Sequence, residues 1–159
     1  MKPFISLDWG TTSFRAYEVG ADGAIKNQTA AADGITAVKD GAFEQTLESH
    51  IGAWDKSLPI IASGMITSRQ GWVECAYAEC PADAATLAQK ITNLKTATGR
   101  NVNFITGLHY KSPSIQHDVL RGEETQVFGA LATGATHFVT PGTHSKWIEI
   151  KDKRIESFA

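Results

Sequence analysis

The segment from Ile5 to Tyr17 constrains the fold of this chain most strongly, because apolar residues alternate with polar ones on both sides of a run of small residues. Alternation around such a run predicts a β-hairpin. Gly10, at the start of the run, can take a positive φ and lets the loop backbone approach a ligand closely. An ordinary polar hairpin with an aspartate near its turn accounts for the same pattern, so both interpretations stay open at this point.

Hydroxyl groups fill the rest of the hairpin turn, at Thr11, Thr12 and Ser13. Hydroxyls beside free backbone N–H groups are the donors that the oxygens of a polyphosphate need. Asp8, where the strand meets the turn, could hold the hydrated Mg²⁺ that accompanies a nucleotide. The turn therefore predicts a site for phosphate and magnesium.

A second glycine turn lies between two further predicted strands and contains Gly142, Thr143 and His144. Lys146, just after this turn, either adds a positive charge or is a solvated strand residue. Two such turns in one chain predict a phosphate clamp. The clamp differs from the strand-to-helix phosphate loop, because the sequence lacks the eight-residue pattern that ends in Gly-Lys-Ser or Gly-Lys-Thr.

The composition limits the kind of protein that this chain can be. Its 159 residues carry a net charge of −2 with dispersed lysine and arginine, so no basic surface for nucleic acid or membrane is expected. No apolar stretch approaches the ~20 residues of a membrane span, and the N-terminus lacks the apolar core of a signal peptide. Cys75 and Cys80 are expected to be free thiols. We therefore expect a cytoplasmic, single-domain protein that binds neither nucleic acid nor membrane.

Three short strands, a helix and then alternating strands and helices are predicted along the chain. An antiparallel meander covers residues 5–29, and a helix follows from a cap near Asp40. A second helix runs from Pro81 to a stop before Gly99, and a third covers about residues 123–132. This order predicts an α/β fold, a mixed sheet with an antiparallel N-terminal meander and helices on both faces.

Polar side chains cluster in the loop after a predicted buried strand, over residues 63–72. The carboxyl end of such a strand is the usual place for ligands in open α/β sheets. Arg69 could grip a carboxylate through two parallel hydrogen bonds, or form a surface salt bridge. Ser68 and Gln70 could bond sugar hydroxyls, whereas Trp72 could either stack on a sugar or fill the core.

Carboxylates cluster near the start of the third helix, where Asp118 and Glu123 are the candidates for chemistry. Acidic residues at a helix start are favoured by the helix dipole, so capping explains at least one of them. A carboxylate that takes the proton from an attacking sugar hydroxyl would also suit this junction.

Four stretches together resemble the 2-dehydro-3-deoxygalactonokinase family, and they cover residues 7–15, 63–72, 120–126 and 141–147. The resemblance implies a ribonuclease-H-like domain of the actin-like ATPase group, which the predicted order of elements also fits. It further implies transfer of the ATP γ-phosphoryl group to a hydroxyl of 2-dehydro-3-deoxy-D-galactonate in galactonate catabolism. ATP, Mg²⁺ and a sugar acid are thus the expected nucleotide, metal and acceptor.

Roles for individual residues follow from the matching positions. The resemblance assigns phosphate binding to Asp8, Gly10, Thr11, Thr12, Ser13, Gly142, Thr143 and His144, with Asp8 also holding the metal. It assigns acceptor binding to Ser68, Arg69, Gln70, Trp72 and Arg15. The catalytic base is Glu123 as first choice and Asp118 as second, because the Gly122-Glu123 step resembles the Gly-Asp step of glycerol-kinase-like enzymes.

Kinases of this superfamily have two ribonuclease-H-like domains with the ligands bound between them. The resemblance implies that residues 1–159 form the N-terminal domain and that the second domain is missing, so we expect little activity from the chain alone. The uncovered surface would take either the second domain or another copy of the chain. Two alternatives remain: a non-catalytic module that binds a sugar acid or a partner, and a ribonuclease-H-like metal-dependent nuclease.

Overall fold

The computed structural model describes residues 1–112, 117–142 and 145–159. The chain divides into two compact units, of which the first comprises Met1–Cys75 and Thr92–Ile105 and the second comprises Ala76–Ile91 and Thr106–Ala159. A single domain over the whole chain stays a prediction, since a division by contacts does not show how the chain folds.

Short strands dominate both units. The strands are β1 (Phe4–Trp9), β2 (Phe14–Val19), β3 (Ile25–Ala31), β4 (Ile60–Ser63), β5 (Ala78–Glu79), β6 (Thr92–Lys95), β7 (Asn101–Phe104), β8 (Leu108–Lys111), β9 (His117–Leu120), β10 (His137–Thr140), β11 (Lys146–Lys151) and β12 (Arg154–Phe158). The α-helices are α1 (Phe43–Ile51), α2 (Ala84–Ala88) and α3 (Glu123–Ala130), with 3₁₀ turns at Ile35–Ala37, Met65–Thr67 and Leu131–Thr133. Within the described ranges, no helix is both long and apolar enough to cross a bilayer.

The first unit contains a six-stranded mixed sheet in the order β3-β2-β1-β4-β7-β6. β1, β2 and β3 form the antiparallel meander that the sequence predicts, with Asp8 opposite Arg15. β4 pairs parallel to β1 and β7 parallel to β4, so the carboxyl ends of these three strands lie at one edge of the sheet. The predicted mixed α/β sheet with an N-terminal meander is confirmed, whereas helices on both of its faces stay a prediction.

Alternation along β1 explains the core of this unit. Ile5, Leu7 and Trp9 lie on one face and are buried, while the residues between them are partly exposed. Leu47 and Ile51 of α1 belong to the same cluster of buried side chains. Burying each such side chain contributes about 1.5–3 kcal/mol, so this apolar stripe decides which face of the hairpin turns inward.

The second predicted helix is wrong over most of its length. α2 has five residues and begins after Asp83, whose carboxylate accepts the N–H of Thr86 at 2.8 Å. From Thr92 onward the chain forms β6, and Leu94 lies opposite Val102 of β7. Thr92 is β-branched and exposure alternates along β6, so pairing with β7 outweighs the helical spacing of the apolar residues.

The cap predicted near Asp40 is also misplaced. Asp40 has a φ of 53° and lies outside the helix, because α1 begins at Phe43 and Ala42 occupies the N-cap position. Glu44 in the first turn does not cap the helix, since its carboxylate accepts the N–H of Thr98 at 2.8 Å. This bond ties α1 to the turn between β6 and β7, a contact that local sequence signals do not reveal.

The second unit contains two three-stranded sheets. β10, β11 and β12 form an antiparallel meander, in which Val139 lies opposite Trp147. In the other sheet, β5 pairs parallel to β8 and β8 pairs antiparallel to β9. α3 confirms the predicted third helix, and Gly134 ends the following 3₁₀ turn with a φ of 77°. β9 is a strand where the sequence predicts only a junction before the helix.

Candidate functional site

Asp8 lies at the edge of the first sheet where parallel strands end. β1 and β4 run parallel, and Asp8 is opposite Ser63 in their register. The Asp8 side chain is 36% exposed although its neighbours along β1 are buried. Its carboxylate is therefore accessible at the edge where open α/β sheets commonly bind ligands.

The turn after β1 uses its carbonyl groups internally. The carbonyls of Gly10 and Thr11 accept the N–H groups of Ile35 and Thr36 at 3.0 and 3.2 Å, and Gly10 N–H donates to the Ser13 carbonyl at 2.8 Å. Among the residues that the structure describes, the N–H groups of Thr11 and Thr12 have no acceptor, and both residues are exposed. The turn thus leaves backbone hydrogen-bond donors available, a property that the predicted phosphate site requires.

A glycine other than Gly10 makes this turn possible. Gly10 is not among the residues with a positive φ, and a Cβ there would meet Ser13 at ordinary distances, 3.4 Å from its Oγ and 3.7 Å from its carbonyl oxygen. A Cβ on Gly34, in contrast, would lie 2.2 Å from the Thr11 carbonyl oxygen and 2.3 Å from Thr12 backbone atoms. The close approach therefore occurs at Gly34, which sequence reasoning missed because it lies over 20 residues from the turn.

Arg15 contacts Asp8 across the hairpin. Its guanidinium nitrogen lies 3.1 Å from Asp8 Oδ2, and both side chains are substantially exposed. An exposed pair of this kind stabilises a fold by at most about 1 kcal/mol, so it can open when a cation or ligand competes. The sequence assigns Arg15 to the acceptor, whereas the structure places it against the predicted metal ligand.

The polar loop over residues 64–72 starts beside the Asp8 carboxylate. Gly64 has a φ of 96°, and a Cβ there would lie 2.8 Å from the Trp9 carbonyl oxygen and 3.3 Å from Asp8 Oδ1. Only glycine fits this conformation without strain. The fold therefore brings the start of the predicted acceptor loop to the predicted metal ligand.

Within that loop, Ser68 carries the most informative atom. Its hydroxyl is buried and has no hydrogen-bond partner among the described residues. Such a group costs about 1–3 kcal/mol when left unsatisfied, and a ligand can satisfy it. Arg69 and Gln70 are exposed next to it, in agreement with their predicted availability.

Trp72 lies against the core of the first unit. Its ring stacks on Phe43 with centroids 6.1 Å apart and meets Phe104 edge-on at 5.8 Å. These contacts favour the core interpretation of Trp72 over sugar stacking. Aromatic pairs of this geometry add about 0.5–1.5 kcal/mol beyond the burial of area.

Asp118 lines a cavity in the second unit. The cavity has a volume of about 350 Å³ and is lined by Tyr110, Ser112, His117, Asp118, Phe158 and Ala159. The Asp118 carboxylate forms an ion pair with the ammonium group of Lys146. A carboxylate and hydroxyl groups thus line a space that fits a small polar molecule, and the ammonium group of Lys146 lies beside the carboxylate.

The two glutamates at the start of α3 bind the backbone instead. The Glu123 carboxylate accepts Arg121 N–H at 2.8 Å, and the Glu124 carboxylate accepts Gly122 N–H at 2.7 Å. The Thr125 hydroxyl also donates to Glu124 at 3.2 Å. Both carboxylates therefore hold the turn before the helix, which agrees with the capping interpretation.

Glu124 is the titratable group that sequence reasoning missed. Its side chain is 1% exposed, and burial raises the pKa of its carboxyl to about 7. The sequence shows three acidic residues near this helix but does not indicate which one is buried. Nearby charge contributes as well, since the Glu123 carboxylate also raises the Glu124 pKa.

The structure distributes the predicted residues between the two units. Asp8, the first turn, Arg15 and the loop from Ser68 belong to the first unit, whereas Asp118, Glu123 and Gly142 belong to the second. Gly142 is exposed. Thr143 and His144 lie outside the described residues, so a clamp formed with Thr11 stays a prediction.

Comparison with known proteins links the whole arrangement to one family. A family model described as 2-keto-3-deoxy-galactonokinase matches residues 8–159. The chain is 38% identical over 161 residues to a Rhizobium meliloti (strain 1021) protein that is provisionally described as a 2-dehydro-3-deoxygalactonokinase. It is 31% identical over 157 residues to the 2-dehydro-3-deoxygalactonokinase of Escherichia coli (strain K12). Both alignments cover 98% of this chain and 52% of the relative.

A solved structure gives the same result. The chain superposes with a TM-score of 0.88 and 39% identity on a crystal structure, from Sinorhizobium meliloti, of a protein also provisionally described as a 2-dehydro-3-deoxygalactonokinase. The match covers 98% of this chain and 53% of that one. The chain therefore spans about half the length of the relatives that it matches.

Proposed function

Since this chain belongs to the 2-keto-3-deoxy-galactonokinase family, we propose that it supplies part of a cytoplasmic sugar-acid kinase. The reaction is transfer of the γ-phosphoryl group of ATP to a hydroxyl of 2-dehydro-3-deoxy-D-galactonate. The observation that carries this proposal is the position of Asp8. It lies beside a turn whose N–H donors have no acceptor among the described residues, and at the start of the polar loop. A meander followed by parallel β4 and β7 supports a ribonuclease-H-like fold for the first unit.

The phosphates of the nucleotide bind at the first turn. The N–H and hydroxyl groups of Thr11 and Thr12 donate no hydrogen bond within the described residues, and both residues are exposed, so these groups can donate to phosphate oxygens without breaking an internal bond. The contacts with Ile35 and Thr36 hold the turn in place beforehand. A donor set that is fixed before binding loses little entropy when the ligand arrives.

Asp8 fits the Mg²⁺ that accompanies ATP. It offers one accessible carboxylate at the sheet edge, and Mg²⁺ in kinases takes one or two carboxylates together with phosphate oxygens and water. When bound, the ion neutralises phosphate charge. The Arg15 contact engages Asp8 Oδ2, so Oδ1 can bind the ion or its water, and loss of the contact would free the guanidinium for an anionic group of either substrate.

The sugar acid binds along the loop after β4. The Ser68 hydroxyl satisfies its missing hydrogen bond on a hydroxyl of the acceptor, and the exposed Arg69 pairs with the carboxylate. Gln70 is equally accessible for a further hydroxyl. Trp72 holds the loop against the core through its ring contacts with Phe43 and Phe104.

Asp118 is the better candidate for the base than Glu123. Both carboxylates accept a backbone N–H, from Val119 at Asp118 and from Arg121 at Glu123, but Asp118 also lines a cavity. In the reaction, Asp118 takes the proton of the acceptor hydroxyl while that oxygen bonds to the γ-phosphorus and the bond to ADP breaks. Lys146, paired with Asp118, adds a positive charge beside this carboxylate within the second unit.

The remaining half of the family's length completes the enzyme in this proposal. Phosphoryl transfer depends on positioning and on exclusion of water, so the 159-residue chain alone should turn over slowly. The nucleotide site at the first turn should nevertheless bind measurably.

Binding of MgATP to the chain tests the proposal. Adding MgATP should shift the NMR signals of the Thr11 and Thr12 amides, and Asp8→Asn should weaken that binding roughly tenfold or more, because a charge-assisted metal contact is lost. Glu18→Gln is the matched control, since Glu18 lies on β2 of the same hairpin but bonds only Asn27 at 2.7 Å. Unchanged affinity in Asp8→Asn, or shifts confined to other residues, would reject the assignment.

A further inference from the structure

Two histidines meet on the sheet formed by β5, β8 and β9 in the second unit. His109 Nε2 lies 3.0 Å from His117 Nδ1, and the two ring planes are parallel with centroids 5.2 Å apart. The rings are diagonal neighbours across β8 and β9, because Lys111 is the direct partner of His117. Neither imidazole is assigned a role in the proposed phosphoryl transfer, although His117 also lines the cavity beside Asp118.

We propose that His109 and His117 together bind a divalent cation that favours nitrogen ligands, such as Zn²⁺ or Ni²⁺. Two imidazole nitrogens this close must share a proton, or a cation must take the place of that proton. Zn–N bonds of about 2.0–2.1 Å at a tetrahedral angle place two nitrogens roughly 3.3–3.4 Å apart. The observed separation of 3.0 Å is close to this value, so small side-chain rotations complete the chelate.

The sheet holds both ligands in place before the cation arrives. β8 and β9 are joined in a regular antiparallel register, and His117 is exposed, so side-chain torsions alone need to change. A site organised in this way loses little entropy on binding. Two ligands on a rigid pair of strands therefore act as a chelate rather than as separate weak sites.

The charges around the pair influence the choice of cation only weakly. The register places the exposed Glu79 opposite His109 and the exposed Lys111 opposite His117, so one carboxylate and one ammonium offset each other. Imidazole favours Zn²⁺, Ni²⁺ and Cu²⁺, whereas Mg²⁺ prefers oxygen ligands. Within the described ranges no group of three or more metal-ligating residues forms, so water fills the other coordination positions. This site is thus chemically different from the Mg²⁺ site proposed at Asp8.

Calorimetry on the tag-free 159-residue chain tests the proposal, with ZnCl₂ and NiCl₂ as titrants at about pH 7.5, where histidine is ordinarily neutral. Wild type should bind one ion, and His109→Ala and His117→Ala should each weaken binding roughly tenfold or more, because either change destroys the chelate. MgCl₂ in excess should not compete. The chain needs no kinase activity for this measurement.

His137→Ala is the matched control, since His137 lies on β10 in the same unit and, among the described residues, its ring hydrogen-bonds the neighbouring Thr136 hydroxyl at 3.1 Å. It should bind as wild type does. Absence of binding by wild type would overturn the proposal, as would wild-type affinity in either His109→Ala or His117→Ala. Equal loss in His137→Ala would place the ion elsewhere and would also overturn it.

Discussion

The two hairpins with a glycine turn share a sequence pattern but differ in what lies beside them. In each, a polar residue stands two places before the glycine, Asp8 before Gly10 and Thr140 before Gly142. Each hairpin continues into a third antiparallel strand, β3 in the first unit and β12 in the second. The same local pattern therefore lies between antiparallel strands in both units.

The difference lies at the outer edge of the first strand of each hairpin. β1 pairs with β4 on that edge, whereas β10 pairs only with β11 among the described strands. Trp9, beside the first turn, is 0% exposed, but Trp147, beside the second, is 68% exposed and its partner Val139 is 47% exposed. The comparison teaches that a glycine turn supplies donors by itself, while a neighbouring parallel strand supplies the core and the adjoining loop.

Replacing each of the two tryptophans gives the largest expected difference in the free energy of unfolding. Trp9→Ala should lower the free energy of unfolding by about 3–5 kcal/mol, because it leaves a cavity in the core and removes the 2.8 Å hydrogen bond from the indole N–H to the Asp33 carbonyl. Trp147→Ala should change it by less than about 0.5 kcal/mol. Urea unfolding followed by circular dichroism measures both. A loss of similar size for Trp147→Ala would show that the second hairpin is covered in solution.

The next largest expected effect is the pH dependence of stability that a buried acidic residue produces and an accessible one does not. Asp8 is accessible, whereas Glu124 is buried with a pKa raised from 4.5 to about 7. Folded protein then keeps a proton that the unfolded chain has already lost between these pH values. The contribution of Glu124 to stability should therefore fall by about 3 kcal/mol as pH rises from 4.5 to 7 and then level off, since one pKa unit corresponds to about 1.4 kcal/mol.

Glu124→Gln tests that dependence, because the amide cannot ionise. Urea unfolding across this pH range should give a flatter stability profile in the variant than in wild type. Carboxyl titration by ¹³C NMR gives the Glu124 pKa directly. Parallel stability profiles for the two proteins would contradict the burial of an ionisable group at this position.

Replacing Gly34, which packs against the first turn, should change the free energy of unfolding by less. Gly34→Ala should lower stability by about 2–3 kcal/mol, because the new methyl group would overlap the backbone of Thr11 and Thr12. It should also weaken MgATP binding, since the donors of the turn are displaced. Gly129→Ala is the control, because the helical Gly129 has open space around it and alanine there should stabilise α3 by up to about 1 kcal/mol. Equal stability of both variants would show that the turn tolerates a shift.

Local patterns predicted the elements that depend on near neighbours. Alternation from Ile5 to Tyr17 predicted the hairpin, and the apolar spacing over residues 123–132 predicted the third helix, although Gly134 ends the 3₁₀ turn after it and not the helix itself. The same reasoning failed at residues 92–95, where pairing with β7 decides the conformation. Apolar residues at positions 87, 91 and 94 fit a helix, but a strand partner lies outside any local window.

The candidate site shows the same division between features that local sequence predicts and features that distant contacts decide. Residue types at Asp8, Ser68 and Arg69 pointed to phosphate, metal and sugar-acid chemistry, and the family match supports that direction. Sequence reasoning did not foresee that Arg15 pairs with Asp8, nor that Glu123 accepts a backbone N–H. It also missed Glu124, because burial depends on what packs around a helix and not on the acidity of the residue.

The amino-acid sequence by itself determined the family, the two glycine hairpins and the chemical types of the groups around them, since these follow from short-range spacing and residue identity. The tertiary structure alone decided which groups are accessible and which are engaged. Gly34 under the first turn, Gly64 against Asp8 and the buried Glu124 are set by contacts with distant or folded segments. The physical reason is that exposure, pairing and pKa depend on which atoms folding brings together. Separation along the sequence does not measure the distance between atoms in the folded chain.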